Sequence, residues 1–141
     1  MPTDQTYPEI RAAVASLCAH FPGEYWRKLD GAKAYPTEFV QALTQAGFLA
    51  TLIPRDYGGS GLPLGAGCAV LEEVHRSGGN GAACHAQMYT MGTLLRHGSE
   101  AQKAQFLPAI ADGSLRLQAF AVTEPGSGTD TSRIRTHAVH D

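Results

Sequence analysis

A glycine-rich turn that carries hydroxyl side chains is the first feature of this sequence that could bind a ligand. It reads Gly126-Ser127-Gly128-Thr129 and follows an alternating stretch, residues 115–123, that predicts a β-strand. Backbone N–H groups in such a turn can contact a phosphate, and a threonine hydroxyl adds a donor. The turn is not a Walker A loop, because no Gly-Lys-Ser/Thr follows, and no third glycine opens a Rossmann helix. Because most turns of this composition are structural, the turn alone leaves both interpretations open.

The cysteines are the second place to look for chemistry. Cys84 and His85 are adjacent, but neighbouring residues of a helix point about 100° apart, and no third group orients the histidine. The sequence therefore does not predict a nucleophile and base here. Together with Cys18 and Cys68, Cys84 fits no metal-binding or CxxC spacing, so no metal site is predicted. All three lie among alanines and leucines, and we expect buried, reduced thiols.

Helical periodicity dominates the first 113 residues. Apolar residues that recur every three or four positions predict five helices, over residues 6–21, 36–47, 63–75, 82–96 and 99–112. Capping boxes at Thr6–Glu9 and Ser99–Gln102 predict two of the helix starts, and Gly47 and Gly113 predict two ends. A short aromatic segment, residues 24–29, and an ordered glycine-rich loop, residues 53–61, lie between helices.

Two of these helices carry further expectations. In helix 63–75, Leu64, Cys68, Leu71 and Val74 are expected on one face, with Glu72 and Glu73 pointing outward. Helix 82–96 is nearly uncharged, so it is expected to be buried on all sides.

Length and composition limit the class of protein. The 141 residues are enough for about one domain, and 43% hydrophobic against 17% charged residues is too apolar for a disordered chain. A net charge of −2 provides no basic surplus for nucleic acid. No run approaches the ~20 apolar residues of a membrane span, and the N-terminus lacks the pattern of a secretory signal. We therefore expect a cytoplasmic protein that binds neither nucleic acid nor membrane.

Three motifs carry a resemblance to a known family. The segment Phe120–Asp130 closely resembles the flavin-binding signature of the acyl-CoA dehydrogenases, in which an apolar strand leads into Thr-Glu-Pro, glycine, serine or threonine, and aspartate. The loop Ile53–Gly61 is similar to the family's loop after its second main helix. The segment Gly98–Pro108 looks like its Gly-x-Glu-x-Gln-Lys…Leu-Pro motif. Because the three motifs occur in the family's order and spacing, the chain is identified as a member.

The resemblance implies the fold. Acyl-CoA dehydrogenases have an N-terminal helical domain, a middle β domain and a C-terminal four-helix bundle. This chain is accordingly expected to be mainly α, with the N-terminal helical domain at residues 1–113 and the first strand and turn of a truncated β domain at residues 114–141.

The resemblance also implies an FAD cofactor and its contacts. Phe120 and Val122 would pack beside the isoalloxazine ring, and Thr123 would hydrogen-bond its pyrimidine edge. Gly128 and Thr129 would approach the flavin side chain and pyrophosphate. We expect the side chain of Ser127 to face solvent.

The substrate implied is an acyl-CoA, or a carrier-bound acyl thioester, of fatty acid metabolism. His85, Met88 and Tyr89, on the uncharged helix, would contact the acyl chain, and Thr129 would also lie near the substrate. The family's enzymes pass electrons to a separate acceptor protein, and the intact enzyme is expected to be a homo-oligomer.

The family's catalytic base is a glutamate of the C-terminal bundle, so no catalytic residue is predicted here and the chain alone is expected to be inactive. Glu124 occupies a position that is structural in the family. Two alternatives remain open from the residues. The chain could be a non-catalytic helical module, or split subunit, that docks on a partner, or it could be part of a related flavin monooxygenase.

Overall fold

The protein forms a bundle of short helices. The computed structural model describes residues 7–140. Six α-helices are present in this range: α1 (Pro8–Cys18), α2 (Gly23–Ala32), α3 (Thr37–Gln45), α4 (Leu64–Arg76), α5 (Ala82–His97) and α6 (Glu100–Asp112). Single 3-10 turns lie at Phe48–Ala50, Arg55–Tyr57 and Thr131–Arg133. The prediction of a mainly α chain is confirmed.

Local chemistry determines several helix boundaries as predicted. Ser99 Oγ accepts a hydrogen bond from the Gln102 backbone N–H at 3.2 Å, and the Gln102 side chain accepts one from the Ser99 N–H at 2.8 Å. This reciprocal capping box starts α6. Gly47 and Gly113, with φ of 78° and 82°, adopt the left-handed conformation that glycine tolerates best, just after α3 and α6. The capping box predicted at Thr6 begins outside the described residues.

The structure corrects two predictions of secondary structure. The aromatic segment at 24–29 is part of a full helix, α2, because Tyr25 and Trp26 pack on the core. No strand forms within residues 7–140; residues 115–123 have no neighbouring strand to pair with, so their alternation produces no ladder.

Several predictions of burial are also wrong. Leu64 and Cys68 are exposed, whereas Cys18 and Cys84 are buried as expected. Glu73 is buried on α4, with its carboxylate 3.9 Å from Arg11 of α1, while Glu72 is exposed. Helix α5 buries only one face, and His85 on the other face is exposed.

Two apolar clusters hold the helices together. The first joins α1, α3, α4 and the start of α5, with α1 packed against α4. The second joins the end of α5 to α6 and the segment after α3, and contains Ala50, Ile53, Met91, Leu107 and Ile110. Helix α5 contributes to both clusters, so its exposed face is held rigidly between them. None of the helices within residues 7–140 has the length and apolar character needed to cross a bilayer.

Candidate functional site

The glycine-rich turn is closed by its own backbone. Glu124 N–H donates to Ser127 O at 2.8 Å, and Ser127 N–H donates back to Glu124 O at 3.1 Å. The Ser127 hydroxyl donates to Asp130 O at 2.7 Å, and the residue is only 5% exposed. The expectation that its side chain faces solvent is therefore wrong: Ser127 shapes the turn from inside.

The Glu124 carboxylate ties the turn to the residues that follow. It accepts hydrogen bonds from the backbone N–H groups of Arg135 at 3.0 Å and Thr136 at 2.7 Å. Hydrogen bonding from Thr136, through its side chain and backbone, and from the Arg135 backbone lowers the pKa of Glu124. The carboxylate is thus fully used in holding the loop, which agrees with a structural position.

This loop closure should depend on pH. Because the pKa of Glu124 is lowered in the folded chain, the ionised carboxylate contributes at neutral pH, and its contribution is lost as the pH falls through the folded pKa. We expect the amide resonances of Arg135 and Thr136 to move together in an NMR titration toward acid, at a pH below the ordinary glutamate range. The Glu124→Gln variant should lack this transition. An identical titration of both amides in that variant would contradict the assignment.

The predicted flavin residues lie before the turn and within it, and most of them are accessible. Phe120 is 66% exposed, Val122 is half-buried, and Thr123, Gly128 and Thr129 are exposed. A Cβ atom built at Gly128 would meet no atom within 4 Å, so the backbone there can be approached closely. An exposed ring, free hydroxyl groups and an open glycine backbone fit a ligand with both a flat ring system and a phosphate.

An aromatic ladder links this surface to α5. The Tyr89 ring contacts His85 edge-on, with centroids 5.1 Å apart, and contacts Phe120 edge-on at 5.0 Å. The structure thus brings together two predicted acyl contacts and one predicted flavin contact. Met88 does not share this face; it is 6% exposed and packs in the first apolar cluster.

A cleft of about 370 Å³ opens beside the ladder. It lies between α5, the start of α6 and Phe120, and is lined by Thr90, Thr93, Leu94, His97, Gly98, Gln102, Leu117 and Phe120. The hydroxyls of Thr90 and Thr93 donate to Ala86 O and Tyr89 O of their own helix, so they are already satisfied. This cleft was not predicted from the sequence, although His85, Tyr89, Thr93 and His97 recur every four residues and could have revealed the face.

The adjacent pair Cys84-His85 is divided by the fold. Cys84 is buried in the first cluster, while His85 is exposed. Burial raises the pKa of the Cys84 thiol to about 12, which keeps the thiol protonated near neutral pH. This pair is therefore not an activated nucleophile, in agreement with the sequence analysis.

Comparison with known proteins identifies the chain. Residues 4–114 match the family model of the acyl-CoA dehydrogenase N-terminal domain. The chain belongs to the acyl-CoA dehydrogenase family. The probable acyl-CoA dehydrogenase FadE25 of Mycobacterium tuberculosis is 35% identical over 140 residues, which cover 97% of this chain and 35% of that protein. The chain thus spans about a third of the length of the curated acyl-CoA dehydrogenases it matches.

Solved structures of the family have the same fold. The acyl-CoA dehydrogenase complexed with FAD from Bacillus anthracis is similar over 95% of this chain and 24% of its own, with a TM-score of 0.73 and 26% identity. The glutaryl-coenzyme A dehydrogenase in complex with glutaryl-CoA is similar over 95% of this chain and 35% of its own, with a TM-score of 0.76 and 27% identity. This chain is therefore an N-terminal helical domain of the acyl-CoA dehydrogenase type.

Proposed function

We propose that the chain is the N-terminal part of an FAD-dependent acyl-CoA dehydrogenase, which desaturates an acyl thioester between its α and β carbons. Residues 1–113 form the helical domain, and residues 114–141 begin the β domain. The contact between Phe120 and Tyr89 carries the proposal, because it joins the flavin signature to the α5 face predicted to meet the acyl chain. An FAD-complexed relative and a glutaryl-CoA complex among the similar structures support the same cofactor and substrate class.

Each predicted flavin residue has a role in this proposal. Phe120 and Val122 pack beside the flavin ring, and Thr123 hydrogen-bonds its pyrimidine edge. Gly128 and Thr129 approach the flavin side chain and pyrophosphate, where N–H and O–H donors suit phosphate oxygens. The flavin, when bound, supplies the redox chemistry by accepting hydride from the substrate.

The acyl chain is proposed to lie along the exposed face of α5. His85 and Tyr89 border it, and Thr129 lies where ring, phosphate and substrate converge. The apolar cleft beside Phe120 suits a hydrocarbon chain, because its two threonine hydroxyls are bonded within the helix. Met88 was also predicted to contact the acyl chain, but it is buried in the first apolar cluster and does not reach this exposed face.

The isolated chain is proposed to be inactive, because the resemblance places the catalytic base in the C-terminal bundle and three glutamates of this chain have structural roles instead. Glu124 holds the turn, Glu73 lies beside Arg11 between helices, and Glu100 pairs with Lys103 at 2.9 Å. None of these three is on the ladder or in the cleft, so none is a base for the α proton. The intact enzyme is proposed to form a homo-oligomer and to pass electrons to an acceptor protein.

Purification of the full gene product that carries these residues tests the proposal. We expect bound FAD that is bleached anaerobically by acyl-CoA, and a colourless, inactive chain when residues 1–141 are expressed alone. A full gene product without flavin would contradict the cofactor. A reaction that requires oxygen and inserts it into the product would favour the monooxygenase instead. Turnover by residues 1–141 alone would overturn the proposed inactivity.

The Thr129 hydroxyl should contribute measurably to FAD binding. A lost hydrogen bond costs ~0.5–1.5 kcal/mol, so Thr129→Val should weaken FAD about two- to tenfold in a fluorescence titration of the apoprotein. Thr131→Val is the matched control, since Thr131 is also exposed and lies only two residues away. Ser127 is unsuitable as a control because its hydroxyl holds the turn. Equal FAD affinity in the two valine variants would count against a phosphate contact.

A further inference from the structure

Arg116 connects the segment after α6 to two helices. Its guanidinium donates from Nη1 to Gln87 Oε1 on α5 and from Nη2 to Thr44 Oγ1 on α3, both at 3.1 Å. Thr44 in turn donates to Val40 O at 2.7 Å, so its oxygen is correctly oriented to accept. The two ends of the planar guanidinium therefore tie one extended segment to both helices.

Gln87 is an unusual partner for this arginine. It is fully buried in α5, and its Nε2 atom has no hydrogen-bond partner among the described residues. Burying an amide that is only half satisfied is unfavourable, and the Arg116 bond is what satisfies its oxygen. A hydrocarbon side chain would pack there without this cost, so the stability of the core does not by itself require Gln87.

Gln118 makes a second connection two residues further on. Its Nε2 donates to the Tyr35 hydroxyl at 2.8 Å and to Ala83 O at 3.1 Å. The alternate residues Leu115 and Leu117 pack on the second apolar cluster. The segment is thus held by polar bonds from residues 116 and 118 and by apolar contacts from residues 115 and 117. Counting every second residue from Arg116 and Gln118, the next is Phe120, which contacts Tyr89.

We propose that Arg116 and Gln118 are positioning residues for the flavin site. They fix the position of residues 115–120 along α5, so that the Phe120 ring contacts Tyr89. The flavin residues 122–129 then follow from a fixed point on the helical domain. The link to the flavin rests on the proposed function, whereas the contact between the two rings does not depend on it.

The test compares variants that loosen the segment without leaving an orphaned buried group. Arg116→Leu combined with Gln87→Leu removes the guanidinium and the amide of one anchor, while Thr44 keeps its hydrogen bond to Val40 O. Gln118→Leu removes the other anchor. Arg96→Leu removes the same charge from an exposed position of α5 and is the control. We expect the nuclear Overhauser contact between the Tyr89 and Phe120 rings to disappear when both anchors are removed, and to persist in the control. Arg116→Lys, which keeps the charge but lacks the planar fork of the guanidinium, should retain part of the contact.

The second measurement is FAD binding by the full gene product. Preorganisation of a site improves affinity, so loss of both anchors should weaken FAD about tenfold, with an altered flavin absorption spectrum. An unchanged ring contact in the variants would overturn the positioning role. An altered ring contact with unchanged FAD affinity and spectrum would overturn its relevance to the flavin. If the wild-type product holds no FAD, the proposed function fails, while the ring contact still decides the positioning role.

Discussion

Phe39→Ala should lower the free energy of unfolding by about 3–5 kcal/mol, the usual cost of truncating a fully buried phenylalanine. Phe39 lies at the centre of the first apolar cluster and is 0% exposed. Its ring contacts Trp26 at 4.8 Å and Phe21 at 5.2 Å, both edge-on, so the truncation removes aromatic contacts as well as buried area. The free energy of unfolding of a domain of this size is only about 5–15 kcal/mol, so the variant should be close to unfolding.

Phe120→Ala is the matched control. Phe120 is the same residue type but is 66% exposed, so its removal should leave the stability of the helical bundle nearly unchanged. Denaturant unfolding followed by circular dichroism measures both variants. Trp26, the only tryptophan of the chain, gives a second probe through its fluorescence. Similar losses in the two variants would mean that Phe120 is buried in solution and does not present an open surface to a cofactor.

Helix boundaries were predictable where local chemistry determines them. Ser99 with Gln102, and the glycines 47 and 113, satisfy helix ends through backbone geometry that depends on a few neighbouring residues. The extent of α2 was not predictable in this way. Its ten residues include two glycines and many polar side chains, and its apolar residues are anchored by rings from elsewhere in the chain. Tertiary packing, not local propensity, makes it a helix.

The orientation of α4 shows how periodicity can mislead. The large residues Leu64 and Leu71 suggested the buried face, but Leu64 is 71% exposed. Three of the six buried residues of α4 are small, namely Ala66, Gly67 and Ala69, and they let the neighbouring chain approach closely. A Cβ on Gly67 would lie 3.2 Å from Leu52, so the small size of the residue, and not its hydrophobicity, decides which residue fits at this position. Glu73 is buried on this face with its carboxylate 3.9 Å from Arg11, which also pairs with the exposed Glu72 at 2.6 Å.

The candidate site, too, could be predicted from the sequence only in part. The residues of the flavin turn could be named from the sequence, because a resemblance to the family assigned them. The contact of Phe120 with α5 could not be predicted, because it depends on where the segment 115–120 crosses that helix. The bonds from Glu124 to residues 135 and 136 likewise join positions that no local pattern relates.

Gly59→Ala should strongly destabilise the loop 53–61. A Cβ at Gly59 would lie 2.1 Å from the backbone oxygen of Ile53, which no real Cβ approaches. That oxygen also accepts a hydrogen bond from Gly61 N–H at 2.8 Å, and Ile53 is fully buried in the second cluster. Neither the backbone carbonyl nor the side chain of Ile53 can therefore move freely. Overpacking costs ~1–3 kcal/mol and a lost hydrogen bond ~0.5–1.5, so we expect a loss of about 2–4 kcal/mol.

Gly31→Ala supplies the control, and its effect should have the opposite sign. Gly31 lies inside α2, where a Cβ would meet nothing within 4 Å, and alanine is more stable than glycine in a helix by ~0.5–1 kcal/mol. Unfolding curves of the two variants therefore should lie on either side of the wild-type curve. If Gly59→Ala were neutral, the loop would have to relax away from Ile53. The second cluster, which supports α6 and the segment leading to Phe120, would then be less tightly packed than its burial indicates.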